Sequence, residues 1–207
     1  MTIDDRLTTL DTLWSAWAAH GRVMTDQQWA LPTRLGDWDV RSLYAHAASW
    51  PFAFPALLGQ VRESAPTHAT AAVLLREFNA PDGVAHRLRG WAAANARADA
   101  EKYTVAQMVE QFAGAGPRAI VAARELGSVA LDYYGQAVLR LDEVVSIGIL
   151  EATVHLLDLQ RALGLAPEVP ADGLAHTAAV LAEMAPPVDL IEAATGRETA
   201  APFPVLT

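Results

Sequence analysis

The sequence predicts an all-α protein, a bundle of helices with short extra helices and a C-terminal extension. Apolar residues recur at helical spacing over most of the chain, and prolines and glycines separate the helical segments. No segment shows the paired alternation of apolar and polar residues that is typical of a sheet. The expected helices span residues 3–19, 39–58, 69–78, 84–100, 105–126, 141–163 and 172–184.

The first helix is predicted from apolar side chains that share one face. These residues follow the spacing i, i+3, i+7 and i+10: Leu7, Leu10, Trp14 and Trp17. Gly21 is expected to end the helix, because glycine is common just beyond a helix C-terminus. Residues 31–37 contain proline and glycine without any period and are expected to form a loop.

The second helix is expected to begin after Asp39, whose carboxylate can accept a hydrogen bond from a first-turn amide. This helix carries His46. Pro51 and Pro55 lack the backbone N–H that a helix interior requires. We therefore expect a kink or a break near Trp50, which would shape the wall of a pocket.

The middle of the chain alternates between helices and breaks. Residues 79–83 contain proline and glycine and are expected to form a turn. The helix at residues 105–126 is expected to be interrupted at Gly114, Gly116 and Pro117. Residues 127–139 include a short extended stretch, but no alternating partner is visible for a sheet, so we assign them to a loop.

The helix at residues 141–163 is the most apolar and is expected to be central, because its apolar residues surround most of its circumference. Gly164 is expected to end it. Asp172 is the expected cap of the next helix, which a proline pair ends before a short turn. The tail from Thr195 onward is expected to lie extended across the body.

The length of 207 residues fits one domain with a short appendage. We expect a metal-binding helical bundle over residues 1–165 and a short helical extension, residues 166–207, packed on it. The chain is expected to act on small molecules, as a monomer or homodimer.

The composition excludes several classes of partner and site. The net charge of −9 repels nucleic-acid phosphates, and the basic residues form no cluster. No apolar run approaches the ~18 residues of a membrane span, and the acidic N-terminus is unlike a signal peptide, so we expect a cytoplasmic protein. Because the chain has no cysteine, disulfides, cysteine nucleophiles and thiolate zinc sites are excluded. Any thiol chemistry would need a thiol from outside.

Three of the six histidines follow an acidic residue by four positions, which places both on one helix face. The pairs are Asp82/His86, Asp172/His176 and Glu151/His155. The first two acids stand where a helix begins, so capping explains them. The third pair lies in the most apolar helix, where a carboxylate is costly unless it is paired or binds a cation. A Glu151–His155 hydrogen bond, or an ion pair with Arg124 or Arg140, satisfies this requirement as well as a metal does.

His46 favours the metal alternative, because it too is expected to point into the apolar bundle. Two neutral imidazoles and the carboxylate of Glu151 form an open metal site with positions left for water or substrate. Asp158, one turn beyond His155, is placed to hold the ring nitrogen that faces away from the metal. An ion pair between Asp158 and Arg161 is the alternative.

Two segments carry a resemblance to a known family: residues 35–46, with the sequence LGDWDVRSLYAH, and residues 151–158, with the sequence EATVHLLD. They resemble the N-terminal domain of mycothiol-dependent maleylpyruvate isomerase, a member of the DinB-like metalloenzyme superfamily. The resemblance covers residues 7–163 and implies an up-down four-helix bundle. It also implies a divalent metal, commonly zinc, with His46, Glu151 and His155 as ligands.

The same resemblance implies an enzyme that uses the metal to activate a low-molecular-weight thiol such as mycothiol. That thiol would serve S-transfer to, or isomerisation of, a small electrophilic substrate. The isomerase has a substantial C-terminal domain, whereas only residues 164–207 follow the similar region here. The resemblance therefore implies the metal site rather than maleylpyruvate isomerisation. A non-catalytic metal- or ligand-binding bundle and a metal-dependent hydrolase remain alternatives.

Several side chains are candidates for the surroundings of this site. The aromatic candidates for pocket walls are Trp50, Tyr133 and Tyr134. The arginine candidates for a substrate or cofactor carboxylate are Arg34, Arg140 and Arg197. The sequence identifies no general base.

Overall fold

Helices account for most of residues 1–197 and 203–205, the part of the chain that the computed structural model describes. The helices are α1 (Ile3–Val23), α2 (Asp26–Trp29), α3 (Val40–Leu58), α4 (Ala71–Phe78), α5 (Val84–Lys102), α6 (Val105–Glu110), α7 (Gly116–Leu126), α8 (Leu141–Ala162), α9 (Ala171–Met184) and α10 (Pro187–Ala194). The described strands are β1 (Val61–Arg62), β2 (Ala130–Tyr133) and β3 (Ala137–Arg140). The all-α prediction is confirmed, with one small sheet added to it.

Helix α1 begins at a capping box, in which the Thr2 hydroxyl accepts a hydrogen bond from the Asp5 amide. The helix continues past Gly21, so the predicted end at this glycine was wrong. The Tyr44 hydroxyl occupies the space that a Cβ at position 21 would need. The same hydroxyl donates to the Trp17 carbonyl at 3.0 Å. Position 21 is therefore a glycine because α3 approaches α1 closely there, and not because the helix ends there.

Helix α3 begins after Asp39, whose carboxylate accepts a hydrogen bond from the Ser42 amide at 2.7 Å, as predicted. The helix then runs through Pro51 and Pro55 to its last residue, so of the two expected outcomes near Trp50, a kink or a break, the break was wrong. Pro51 and Phe54 are both buried, and this packing against the core outweighs the lost backbone hydrogen bonds. The same continuous helix therefore supplies residues to the core and to the lining of the cavity described below.

A π-helical turn, Gln111–Ala115, joins α6 to α7 at the predicted interruption. Its Phe112 ring stacks on Trp17 with centroids 5.3 Å apart and planes 9° apart. At Gly116 a Cβ would lie 2.6 Å from the Trp14 indole, so glycine is needed there for α7 to approach α1. The π turn thus contains the ring that stacks on Trp17 and is followed directly by the glycine at which α7 meets α1.

The loop assigned to residues 127–139 was wrong, because β2 and β3 form an antiparallel hairpin in register Leu131↔Leu139. Strand β1 pairs with β2 on its other side, with Val61 opposite Leu131. The turn is closed by the Asp132 carboxylate, which accepts a hydrogen bond from the Gly135 amide at 2.6 Å. Strands of two and four residues are too short to give a readable alternation.

Helix α8 is central, as predicted: it packs against α1, α3, α4 and α9. Gly164, with φ +69°, follows its end. The capping roles expected at Asp172 and Asp82 were wrong. Pro170 is the N-cap of α9, with Asp172 in its first turn, and Gly83 is the N-cap of α5; neither helix has a side-chain cap.

The segment after α9 forms the eight-residue helix α10 rather than a turn. Thr195 is its C-cap. Residues 198–202 and 206–207, which make up most of the predicted extended tail, lie outside the described residues. Within the described part of the chain, no helix is both long and apolar enough to cross a membrane.

Candidate metal centre

The packing of α3 against α8 brings His46, Glu151 and His155 together, although the first lies more than 100 positions from the other two. One nitrogen or carboxylate oxygen of each residue lies within 4.8 Å of those of the other two. The two imidazole rings meet edge to face, with centroids 5.1 Å apart. Trp38, just before α3, packs on His46 with centroids 4.9 Å apart. Each side chain is only partly buried, so the cluster remains accessible.

The arginines proposed as alternative partners of Glu151 lie elsewhere. Arg124 binds residues of α1, and Arg140 binds Asp142 in the first turn of α8. The polar neighbour of Glu151 is instead His155, whose Nε2 lies 3.5 Å from a Glu151 carboxylate oxygen. The Glu–His contact and the metal site are therefore both compatible with the same geometry.

Asp158 fixes the orientation of the His155 ring. Its Oδ2 lies 3.1 Å from Nδ1 of His155, and its Oδ1 accepts a hydrogen bond from Nε of Arg34 at 2.6 Å. Asp158 is buried, whereas the Arg34 side chain is 60% exposed. With Nδ1 held in this way, Nε2 of His155 faces Glu151 and the open side of the cluster. Arg34, not Arg161, is the ion-pair partner of Asp158.

The two imidazoles differ in protonation when no cation is bound. Burial, together with the neighbouring His155, lowers the pKa of His46 to about 4. Burial opposes the charge on His155 as well, but hydrogen bonds to Asp158 and Glu151 prevail and raise its pKa to about 9. Near neutral pH the metal-free site therefore holds a neutral His46 and a protonated His155, which must release its proton to become a ligand.

The donor set fits a divalent metal. Two imidazole nitrogens and one carboxylate oxygen are ligands that zinc and other first-row cations accept, and three protein ligands leave a position for a further group. His46, Glu151 and His155 are the residues that would hold it. Asp158 would orient one ligand, as carboxylates commonly do at metal-bound histidines.

A cavity of about 620 Å³ opens beside His46. We name it the aromatic cavity, after the rings that line it: Trp50, Phe52, Phe78, Trp91, Tyr133 and Tyr134. Three of these were expected as pocket walls from the sequence. Burial raises the pKa of Tyr133 well above its usual value and also raises that of Tyr134, so both hydroxyls stay neutral and can donate hydrogen bonds.

The arginines expected near the substrate do not line the aromatic cavity. Arg34 is held by Asp158, Arg140 by Asp142, and Arg197 donates to a backbone carbonyl at the end of α10. Arg87 of α5 lies in the lining instead. No pattern in the sequence distinguishes Arg87 from the other arginines of α5, because the cavity is formed by elements distant along the chain.

The opposite pKa shifts of the two histidines predict an optimum in the stability of the metal-free protein. His46 has a pKa of 6.5 when unfolded and about 4 when folded, so acidification between these values protonates the unfolded state and lowers the unfolding free energy. His155 contributes stability below pH 6.5 that is lost as the pH rises through about 9. Each of these two changes in the unfolding free energy amounts to on the order of 3 kcal/mol.

Urea unfolding of chelator-treated protein across this pH range measures the effect, and we expect the highest unfolding free energy near pH 6.5. A His46→Gln variant serves as the control, because it keeps a polar side chain but removes the contribution of His46 to the loss of stability in acid. His20 and His176, whose pKa values burial also lowers, contribute equally in both proteins. If the wild type and this variant show the same pH dependence between pH 4 and 6.5, the assigned state of His46 is wrong.

Comparison with known proteins identifies one family. The model of the mycothiol maleylpyruvate isomerase N-terminal domain matches residues 10–160. Comparison with curated proteins and with solved structures gives no match. The matched region contains α3 and α8, and hence all three residues of the cluster. Because the match spans well over half of the chain, the protein belongs to the mycothiol maleylpyruvate isomerase N-terminal domain family and shares its DinB-like helical fold.

Proposed function

We propose that the protein is a divalent-metal-dependent enzyme, with zinc as its metal, that activates a low-molecular-weight thiol such as mycothiol for reaction with a small electrophile. The cluster of His46, Glu151 and His155 beside a cavity is the observation that carries the proposal. The family match favours mycothiol as the thiol. We also propose that the protein acts in the cytoplasm.

Each residue of the cluster contributes a separate property to the proposed site. His46 is neutral and offers a nitrogen lone pair, and Glu151 supplies a negative charge. Asp158 accepts a hydrogen bond from Nδ1–H of His155, which leaves Nε2 as the nitrogen that can bind the metal. A divalent cation bound there would lower the pKa of a nearby thiol and so supply a thiolate near neutral pH.

The chain's own residues then determine where the thiolate reacts. The aromatic cavity, which His46 lines, holds the electrophile beside the cluster. In S-transfer the sulfur forms a bond to the electrophilic carbon, and the leaving group departs with its electron pair. In isomerisation the sulfur adds to a double bond and leaves again after rotation. Because the chain has no cysteine, no protein thiol competes for the electrophile.

The test is conjugation of mycothiol to 1-chloro-2,4-dinitrobenzene by zinc-loaded protein, followed by absorbance. We expect a rate above the uncatalysed one that disappears in Glu151→Gln, which keeps the side-chain shape but removes the charge. Glu125→Gln, the same substitution at an exposed position of α7, is expected to retain the rate.

Two results contradict the proposal. Zinc-loaded protein that neither binds nor consumes mycothiol favours a non-catalytic binding bundle. Hydrolysis of an activated ester without any thiol, at a rate that added mycothiol does not change, favours a metal-dependent hydrolase.

A further inference from the structure

The aromatic cavity lies between α3, the end of α4, the first half of α5 and the β2–β3 hairpin, and reaches the predicted ligand His46. Its volume of about 620 Å³ is that of a pocket for a small organic ligand. Aromatic rings come from four different elements, so a ligand inside meets ring faces and edges on several sides. Such surfaces pack best on another flat ring.

Among the described residues that line the cavity, Arg87 is the one with a permanent charge, because the lining contains no aspartate, glutamate or lysine. It is exposed at the rim and donates through Nη1 to the backbone carbonyl of Asp82. Within the described residues it forms no ion pair with a carboxylate, although the chain is rich in acids. Its remaining guanidinium N–H groups are available to a planar anionic group such as a carboxylate.

Trp91 of α5 also lies at the rim, and its side chain is unusually exposed for an indole, at 63%. Leu88, one turn before it, is 46% exposed and lines the same cavity. A ligand that filled the cavity would cover both side chains. Removal of this apolar surface from water would contribute to binding in proportion to the area covered.

We propose that the aromatic cavity binds the electrophile of the reaction proposed above, and that this electrophile is an aromatic compound with a single anionic group. The ring packs against the aromatic lining, and the anionic group binds Arg87. The assignment of this ligand as the substrate rests on the proposed function, whereas its binding does not require a thiol. A small aliphatic dicarboxylate fits less well, because it would bring two charges to one guanidinium and leave most ring surface uncovered.

Calorimetric titration with three probes tests this proposal in the absence of any thiol: 1-naphthoate, its neutral analogue 1-naphthalenemethanol, and maleate. We expect 1-naphthoate to bind zinc-loaded protein about tenfold more tightly than 1-naphthalenemethanol, as one charge-assisted contact would give. We expect a similar preference over maleate, because maleate has no ring to cover the aromatic lining. In Arg87→Gln the two naphthalene probes are expected to bind equally. Arg89→Gln, an exposed arginine of α5 outside the lining, is expected to behave as the wild type.

Trp91→Ala separates the apolar contribution from the charged one. Because Trp91 is mostly exposed, the fold should tolerate its loss. We expect both naphthalene probes to bind about tenfold more weakly to this variant, with the preference for 1-naphthoate retained.

Three results would overturn the inference: maleate that binds as tightly as 1-naphthoate, an Arg87→Gln variant that keeps the preference for the anion, or a Trp91→Ala variant with unchanged affinities. Failure of the proposed function gives a different pattern. In that case 1-naphthoate binds as expected, but the zinc-loaded protein does not consume mycothiol.

Discussion

The Glu151→Gln variant is expected to lose stoichiometric zinc, with an affinity at least about a hundredfold below that of the wild type. Replacement of a residue that merely orients a ligand costs roughly 10- to 100-fold, so loss of a ligand should cost more. Glu151 supplies the single negative charge among the three donors, and glutamine has nearly the same shape. The loss should therefore come from charge rather than from a change in packing.

Elemental analysis of the purified proteins and competition with a zinc-binding dye measure this loss. His46→Ala and His155→Ala are expected to lose the metal as well, and Glu125→Gln is the matched control on the surface of α7. Zinc should also raise the melting temperature of the wild type, because about 2.7 kcal/mol of stabilisation follows at a hundredfold excess over Kd. The three ligand variants should show no such increase.

Stoichiometric zinc in any one of the ligand variants would remove that residue from the ligand set. A wild type that binds no divalent metal after reconstitution would leave the cluster as a partly buried polar network. The contact between Glu151 and His155 would then have a structural role, and the proposed thiol chemistry would have no site.

The sequence predicted the members of the cluster for a local reason. Glu151 and His155 are four positions apart on a strongly apolar helix. The sequence therefore shows that they share one helix face and that their burial is costly without a partner. The apolar surroundings of His46 are visible in the sequence too and favoured its inclusion in the site. Its approach to α8 is a tertiary property, which the family resemblance also implied. The ion-pair partner of Asp158 could not be predicted from the sequence, because Arg34 lies 124 positions away in a loop.

The errors in the predicted fold have physical causes of the same kind. Gly21 has the local signal of a helix end, but its role is contact with Tyr44 from another helix. Pro51 and Pro55 break an isolated helix, whereas burial keeps α3 continuous. Local rules thus held where each segment was governed by its own periodicity, and failed where a distant segment supplied the deciding contact.

A large loss of stability is expected from Glu143→Ala, a residue of α8 outside the metal centre. Its two carboxylate oxygens accept hydrogen bonds at 2.7 Å from Nη1 of Arg6 and from the amide of Ala71. It therefore connects α1, α4 and α8 at one point. Both charged side chains are largely buried, with 16% of Arg6 and 10% of Glu143 exposed. The variant would leave a buried guanidinium and a buried amide without these partners.

Breaking a buried ion pair in this way costs roughly 3–5 kcal/mol. We expect the lower part of this range, because Arg6 keeps other partners in the variant. Its Nη1 donates at 2.7 Å to the Asp142 carbonyl and to the Ser146 hydroxyl, and the Asp142 carboxylate lies 3.8 Å away. Urea unfolding measures the loss, and Glu110→Ala is the control, since its exposed pair with Arg118 contributes less than about 1 kcal/mol.

The double variant Arg6→Met with Glu143→Ala identifies the origin of that loss. If the cost of Glu143→Ala lies in the uncompensated guanidinium, replacing Arg6 with an apolar side chain of similar length should recover about half of the lost stability or more. If the cost lies in the Ala71 amide and the position of α4, the double variant should be no more stable than the single one. A loss below about 1 kcal/mol in the single variant would contradict both explanations, because it would mean that solvent reaches Arg6 as easily as it reaches the exposed pairs.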